Sequence, residues 1–457
     1  MPMDWKTLLC KERPRISTNP GDHRAEFERD FDRAIFSTPV KRLQDKAQVF
    51  PLEPHDAVRT RLTHSLEVSS VARGLGIAVG KWLHDNGVIE LGTERSIEAI
   101  CATCGLIHDL GNPPFGHSGE DAIRQWFQMN LAEPGFAVGF WHKNQLVQDF
   151  MKFEGNAQSL RLVTKLQILA DFNGLNFTFG TLSASCKYTA PSHESGMGDD
   201  HAKSKPGYFA SEENIVSRTR EICGTGDARN PLTFLVEAAD DIVYSAADIE
   251  DAVKKGVLRW REVEDEIGTH SSILPALDRM RHILKAGEAK IPDELADDVY
   301  ASAFRTAAIA IAADAVIKAF KDQYNIIMNG NYRGELVADC EAAELIKRLK
   351  KLGAARVYGT ASNLKLELMG RRVIWDLMDV FWEGAKVLPT AGLPTTRVFS
   401  GKIGALFSEN YRRVFQHYVG KLPDVPEQYH RFQLVTDYVC GMTDTFAKRL
   451  HAELTNG

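Results

Sequence analysis

The chain has 457 residues, 44% hydrophobic and 25% charged, with a formal net charge of −6. Length and composition support one large globular domain or two to three ordinary ones, and the charge argues against a surface coated for nucleic acid, although a phosphate pocket needs only a few local cations. No apolar run approaches the roughly 18 residues of a membrane-spanning helix, and MPMDWKTLLCKERPR lacks the apolar stretch of a secretory signal. The seven cysteines are scattered and odd in number, which points away from a disulfide framework and toward a reducing cytoplasm.

Hydrophobic spacing is helical nearly throughout, so a mostly helical, all-α fold is expected. Residues 61–84 set Leu62, Leu66, Val68, Val71, Leu75 and Val79 on one apolar face. A more apolar helix spans 94–110 and is ended by Gly111, Pro113 and Pro114. Cys101 and Cys104 form a CxxC within it; with no second pair nearby, small core residues are the reading preferred over zinc or redox chemistry. Ser118, with Asp121 three residues on, reads as the N-cap of a third helix. Alternation over Phe172–Leu182 suggests one short β-hairpin, and the polar, Gly/Pro-rich stretch 183–207 reads as a mobile loop. Long helices are expected over 231–255 and 296–322. The expected plan is a catalytic core over residues 20–330 and a C-terminal helical subdomain over 331–457 packed on it.

His108–Asp109 closes the buried helix. A charged Asp beside a His cannot lie against an apolar core without a partner, and a divalent metal satisfies both. Consecutive helical residues point about 100° apart, so both reach one ion only where the helix ends. The other His-Asp pair, His55–Asp56, lies in a proline-flanked stretch and is set aside. His64 on the preceding helix and Asp240 in LVEAADDIVYSAADIEDAV complete a set of imidazoles and carboxylates. Such a nitrogen and oxygen set, free of thiolate, favours Mn²⁺, Fe²⁺, Mg²⁺ or Co²⁺, one ion per site, over structural zinc. Asp240, Tyr244 and Asp248 follow at i, i+4 and i+8 on one helical stripe. His117 and Glu120 stand one turn apart at the start of the next helix and read as proton-transfer machinery; the plainer alternative has Glu120 complementing the helix dipole.

At these residues the chain resembles the HD-domain superfamily, and within it the deoxyguanosine triphosphate triphosphohydrolases and their dNTPase relatives. The resemblance lies in FDRAIFSTPVKRLQDKAQVFPLE, RTRLTHSLEV, GLIHDLGNPPFGHSGEDA, FEGNAQSLR, EAADDIVYSAADIEDAV and YVCGMTDTFAKRL, in the family's order across about residues 28 to 449. It implies that His64, His108, Asp109 and Asp240 hold the metal and that His117 and Glu120 promote attack of water on the α-phosphorus. It implies phosphate contact by Arg61, sugar contacts by Gln48, Tyr244 and Asp248, and pocket roles for Asn156 and Gln158. Lys187–Tyr188 and Arg305 are weaker carry-overs as phosphate or nucleoside contacts. The implied reaction releases a deoxynucleoside and intact triphosphate, with Mg²⁺ accompanying the triphosphate. The family also implies a homo-oligomer, hexamer or tetramer, and a dNTP or single-stranded DNA effector. Asp241 departs from relatives that carry a basic, phosphate-contacting residue there, which shifts phosphate binding to other cations. Two alternatives stay open: another HD-type phosphohydrolase (a nucleotide monophosphatase, or a single-strand nuclease or phosphodiesterase) and a regulatory nucleotide-binding protein. The base preferred and the native metal are not legible in the sequence.

Overall fold

The computed structural model describes residues 2–17, 22–53, 55–131, 144–168, 171–286, 291–422 and 424–455. Helices take up 68% of the chain and strands 2%, so the mostly helical expectation is correct. The helices that build the site region are, in chain order, α1 (Arg61–Asp85), α2 (Glu94–Ile107), α3 (Gly116–Asn130), α4 (Gly155–Arg161), α5 (Pro231–Lys254) and α6 (Ala296–Met328). They are followed by α7 (Ala343–Gly353), α8 (Ala361–Val387), α9 (Glu427–Cys440) and α10 (Asp444–Thr455).

The central element is α5, whose Leu232, Leu235, Ala239, Val243 and Ala252 are wholly buried. Its first half packs against α1, α2 and α6 in one apolar cluster, and its second half packs against α6 and α7 in another. A third cluster joins α3 and α4 to α8, α9 and α10. Each large aliphatic side chain so buried contributes ~1.5–3 kcal/mol relative to exposure. Between α1 and α2 the contact is made by small residues. A Cβ added at Gly80 would lie 2.8 Å from the Glu94 Cβ, and one at Gly105 would lie 2.8 Å from the Ser69 Cα. That close crossing sets the His64 and His108 rings 5.4 Å apart.

Four local expectations differ from the structure. Phe172–Leu182 forms no hairpin: a turn leads into a helix over Phe179–Ser185, started by Thr178, whose hydroxyl accepts from the Thr181 N–H. The strands lie instead in the 183–207 stretch, where Ala190–Pro191 pairs in parallel with Pro206–Tyr208, and where Tyr188, Ser192 and Ser195 are buried. Ser118 is not a cap. Phe115 and Gly116, at φ +62° and +58°, turn the chain into α3 two residues earlier, and Ser118 Oγ donates to the Phe115 carbonyl at 3.1 Å. A left-handed non-glycine residue costs roughly 1–3 kcal/mol, so Phe115 must be held there by its surroundings. Finally, Leu66 is 42% exposed, because the buried stripe of α1 runs through Arg61, His64, Ser65, Val68 and Ser69 instead. Among the described residues no helix is long and apolar enough to cross a membrane.

Candidate active site

Three elements deliver the His/Asp cluster. The Thr60 hydroxyl caps α1 by accepting from the Thr63 N–H, which sets Arg61 and His64 in the first buried turn. Past the end of α2, the Leu110 and Asn112 N–H groups turn back onto Ile107 and Asp109, leaving His108 and Asp109 on a tight bend. Asp240 comes from the middle of α5. One ligating atom each from His64, His108 and Asp109 lies within 4.8 Å of the others. Asp240 Oδ1 stands 3.1 Å from His64 Nε2 and 3.5 Å from His108 Nε2.

The residues fit a divalent cation. His108 Nδ1 lies 2.7 Å from the Gly105 carbonyl, which only accepts, so Nδ1 carries a proton and Nε2 is the nitrogen left to bind a cation. That Nε2 is buried without a hydrogen-bond partner and faces Asp109 Oδ2 at 3.6 Å as well as Asp240. A lone pair aimed at carboxylates needs a positive charge between them. Burial pushes the His108 pKa down, yet Asp109 and Asp240 outweigh it and raise it to about 9, so without a cation a proton on Nε2 meets these carboxylates, and a bound cation takes that proton's place. Neither neighbouring thiol belongs to the ligand cluster, and burial pushes both up, Cys101 to about 12 and Cys104 well above its ordinary value. Both sulfurs are core residues, as the sequence suggests.

A second His/Glu group, His201, Glu237 and Glu335, does not share this character. Glu237 is bound by Arg229 at 2.6 Å, by His201 at 3.0 Å and by Lys187 at 3.6 Å. Its charge is already balanced, and a cation would have to displace those partners.

His117 and Glu120, in the first turns of α3, line the same cavity. His117 Nδ1 is 3.6 Å from Glu120 Oε2, and the His117 side chain is 88% exposed while that of Glu120 is 4% exposed. Glu120 is fixed from behind: Oε1 accepts from the Gly155 N–H at 2.7 Å, and Oε2 pairs with Arg124 at 2.9 Å. Contact with Glu120 raises the His117 pKa above its ordinary value. Burial works to raise the Glu120 pKa, but His117, Arg124 and the Gly155 N–H together hold it low. The arrangement is an imidazolium–carboxylate pair open to the cavity.

The cavity, about 510 Å³, is lined by His108, Asp109, His117, Glu120, Asp240 and Tyr244, and also by Gln48, Arg61, Asn156, Lys187 and Tyr188. Arg61 is ion-paired with Asp109. His64 lies just beneath, 1% exposed. The remaining expected residues are elsewhere. Gln158 is buried and donates to Asp437 of α9 at 2.9 Å. Arg305, on α6, pairs with Glu67 and Glu250 outside the cavity. Asp248 lies one turn beyond Tyr244, buried under Tyr358, whose hydroxyl donates to it at 2.6 Å and sits 2.7 Å from the Tyr244 hydroxyl. Burial raises the Asp248 pKa to about 8.

Several lining residues escaped sequence reasoning: Lys205, Tyr358, Asn363 and Glu367. Lys350 of α7 also reaches the site, pairing with Asp241 at 2.5 Å. A positive charge thus stands beside Asp241, although it comes from a segment more than a hundred residues away. No local pattern marked these side chains: Lys205 stands in the 183–207 stretch, Lys350 in α7, Tyr358 just past α7, and Asn363 and Glu367 in the first turns of α8.

Comparison with known proteins accords with this geometry. Residues 61–144 match the model of the HD domain. Helical elements that bring paired His-Asp ligands to one cavity, together with that match, define an HD-domain phosphohydrolase. Along its whole length the chain is similar to the deoxyguanosinetriphosphate triphosphohydrolase-like protein of Listeria monocytogenes, 35% identical over 99% of both chains. It is 33% identical to the protein of that name from Pseudomonas aeruginosa, over 99% of both. The deoxyguanosinetriphosphate triphosphohydrolase of Klebsiella pneumoniae is 32% identical over 97% of this chain and 96% of its own. The chain belongs to the deoxyguanosinetriphosphate triphosphohydrolase family.

Proposed function

We propose that the protein is a metal-dependent deoxynucleoside triphosphate triphosphohydrolase, turning a dNTP and water into the deoxynucleoside and intact triphosphate. One observation carries the reading: His108, Asp109 and Asp240, the His117–Glu120 pair and the Tyr244 wall all line one cavity. A divalent ion (Mn²⁺, Mg²⁺, Fe²⁺ or Co²⁺) held by His64, His108, Asp109 and Asp240 would supply Lewis acidity to the α-phosphoryl group. Arg61, whose buried Nε has no hydrogen-bond partner, takes a phosphate oxygen and neutralises charge that develops on it. Lys187 and Lys205 extend that positive wall toward the outer phosphates.

The oxygen of water bonds to the α-phosphorus and the bond from phosphorus to the 5′ oxygen breaks. His117, kept protonated by Glu120, gives its proton to the 5′ oxygen, and the proton shed by water passes to solvent. Tyr244 packs against the sugar, where its ring disfavours a 2′-hydroxyl, and Gln48 meets the sugar edge, while Asp248 acts from beneath by holding the Tyr358 hydroxyl.

The test is product identity: purified protein with each dNTP and ribonucleoside triphosphate in Mn²⁺ or Mg²⁺, resolved by chromatography. Deoxynucleoside with intact triphosphate is expected. Orthophosphate with a nucleoside diphosphate or monophosphate sinks the mechanism and moves the protein to another HD phosphohydrolase activity. No turnover favours a regulatory binder.

The placement of the cations separates two further variants. Lys187→Ala removes a cavity cation, and KM is expected to rise about 10-fold, as for loss of a charge-assisted contact of ~1.5 kcal/mol. Arg305→Ala cuts ion pairs outside the cavity, so its KM should stay near wild type while the unfolding temperature drops. Equal KM effects from both substitutions would contradict this assignment.

A further inference from the structure

We propose that Asp444 is a positioning residue for the reaction, bracing the active-site loop from the C-terminal helix. This rests on the function proposed above, because it treats His117 as a participant. Asp444 opens α10 and is 2% exposed. Its two oxygens accept from two different walls: Oδ1 from the Phe115 N–H at 2.9 Å and Oδ2 from the Ala47 N–H at 3.0 Å. The Phe115 N–H stands before the first turn of α3, where no helical carbonyl is available to it. Ala47 precedes Gln48 and pairs with Thr60, the residue that caps α1. One carboxylate therefore ties the corner that enters α3 just before His117 to the Ala47–Thr60 bridge, which adjoins Arg61 at the start of α1. A carboxylate suits the task, since both oxygens accept and no proton on it competes.

Other bonds run beside it. Lys46 Nζ donates to the Asn112 carbonyl at 2.6 Å and to the Cys440 carbonyl at 2.7 Å. Thr445 donates to Asp45 at 2.7 Å. Phe115 is also backed by α8, where a Cβ on Gly370 would lie 2.6 Å from the Phe115 Cγ. Two left-handed residues in succession, Phe115 and Gly116, form a sharp corner two residues before His117. A shift at that corner swings the start of α3 and with it the imidazole. Asp444 does not itself line the cavity, so its influence is geometric, and a displacement of ~1 Å at a reacting group costs on the order of 10²-fold.

Asp444→Asn keeps the shape but turns one acceptor into an N–H₂ facing a backbone N–H. In the full-length, metal-loaded protein, kcat is expected to fall about 10- to 100-fold with KM within roughly threefold and metal content unchanged. The His117 imidazole, which faces Glu120, Arg61 and Asp109, should also titrate at lower pH as it moves off Glu120, read by NMR of labelled histidine whether or not turnover is measurable. A kcat within about twofold of wild type, or an unchanged His117 titration, overturns the proposal. So does a loss of kcat equalled by Thr445→Ala at matched thermal destabilisation. If circular dichroism shows that Asp444→Asn does not fold, Lys46→Met loosens the same brace and carries the same test at smaller scale. Product analysis of the wild type keeps the two ideas apart: a product other than triphosphate defeats the proposed function, while the variant-to-wild-type ratio on that reaction still decides the brace.

Discussion

Replacing Asp109 with alanine should lower kcat by about 10³-fold or more, ~4 kcal/mol of transition-state stabilisation, and remove the thermal stabilisation that Mn²⁺ confers on the wild type. The expectation follows from three contacts of one side chain. Asp109 faces His108 Nε2 at 3.6 Å, holds Arg61 in an ion pair, and accepts from Asn112 Nδ2 at 2.7 Å. Under the proposed function its loss removes a metal ligand, frees Arg61 and loosens the bend after α2. Burial works to raise the Asp109 pKa, but Arg61 and His108 together hold it down at about 2, so it is ionised at any working pH.

Metal binding is read most directly by thermal unfolding. A ligand that binds only the native state stabilises it by ~2.7 kcal/mol at a hundred times Kd. Wild type should gain a few degrees on addition of Mn²⁺ and lose them again with chelator; Asp109→Ala should show neither. Should the variant keep both the Mn²⁺-dependent shift and turnover, the ligand assignment is wrong.

The second large effect is expected at His117. His117→Gln should reduce kcat about 10²- to 10⁴-fold, the usual contribution of a positioned acid or base, with little change in metal content because His117 is not in the ligand cluster. The pH profile carries the sign. Glu120 raises the His117 pKa above 6.5, so the imidazolium persists to higher pH than a free histidine. As a general acid it works only while protonated, and the rate should fall as pH rises through that raised pKa. Glu120→Gln withdraws the main cause of the shift, and the alkaline limb should move to lower pH, with kcat also reduced. The measurement is kcat against pH for wild type and both variants. A limb that moves to higher pH in Glu120→Gln would instead mean that the working form of His117 is the neutral base.

Much of the site was legible because its chemistry is carried by short motifs at helix ends. His64, His108–Asp109 and His117 each lie within the first or last turn around a break that glycine, proline or a capping threonine announces. The capping error at Ser118 came from the same kind of signal: a serine before an apolar helix is a good N-cap, but left-handed Phe115 and Gly116 started the helix sooner. The Phe172–Leu182 alternation failed as a hairpin because Thr178 caps a helix there and buries Phe179 and Leu182, a tertiary preference that outweighs a weak strand pattern.

Gln158 and Arg305 show the limit from another side. Gln158 stands in a segment that resembles the family's and Arg305 is a weaker carry-over, yet one is drawn to Asp437 and the other to Glu67 and Glu250. A side chain's direction is set by the partner that satisfies it, and those partners are remote in the chain. The same holds for Tyr358 and Glu367, which line the cavity, and for Lys350, which pairs with Asp241 of its lining, all from segments that bear no chemical motif of their own.

By itself, then, the sequence determined the helical class, the His/Asp set and the His117–Glu120 pair, because helical periodicity and turn chemistry are local properties. Tertiary structure alone decided that Tyr358 covers Asp248, that Lys350 stands beside Asp241, and that Asp444 ties the turn before His117 to the Ala47–Thr60 bridge beside Arg61. These depend on how distant helices pack and on which buried polar groups must find a partner, and no window of neighbouring residues holds that information.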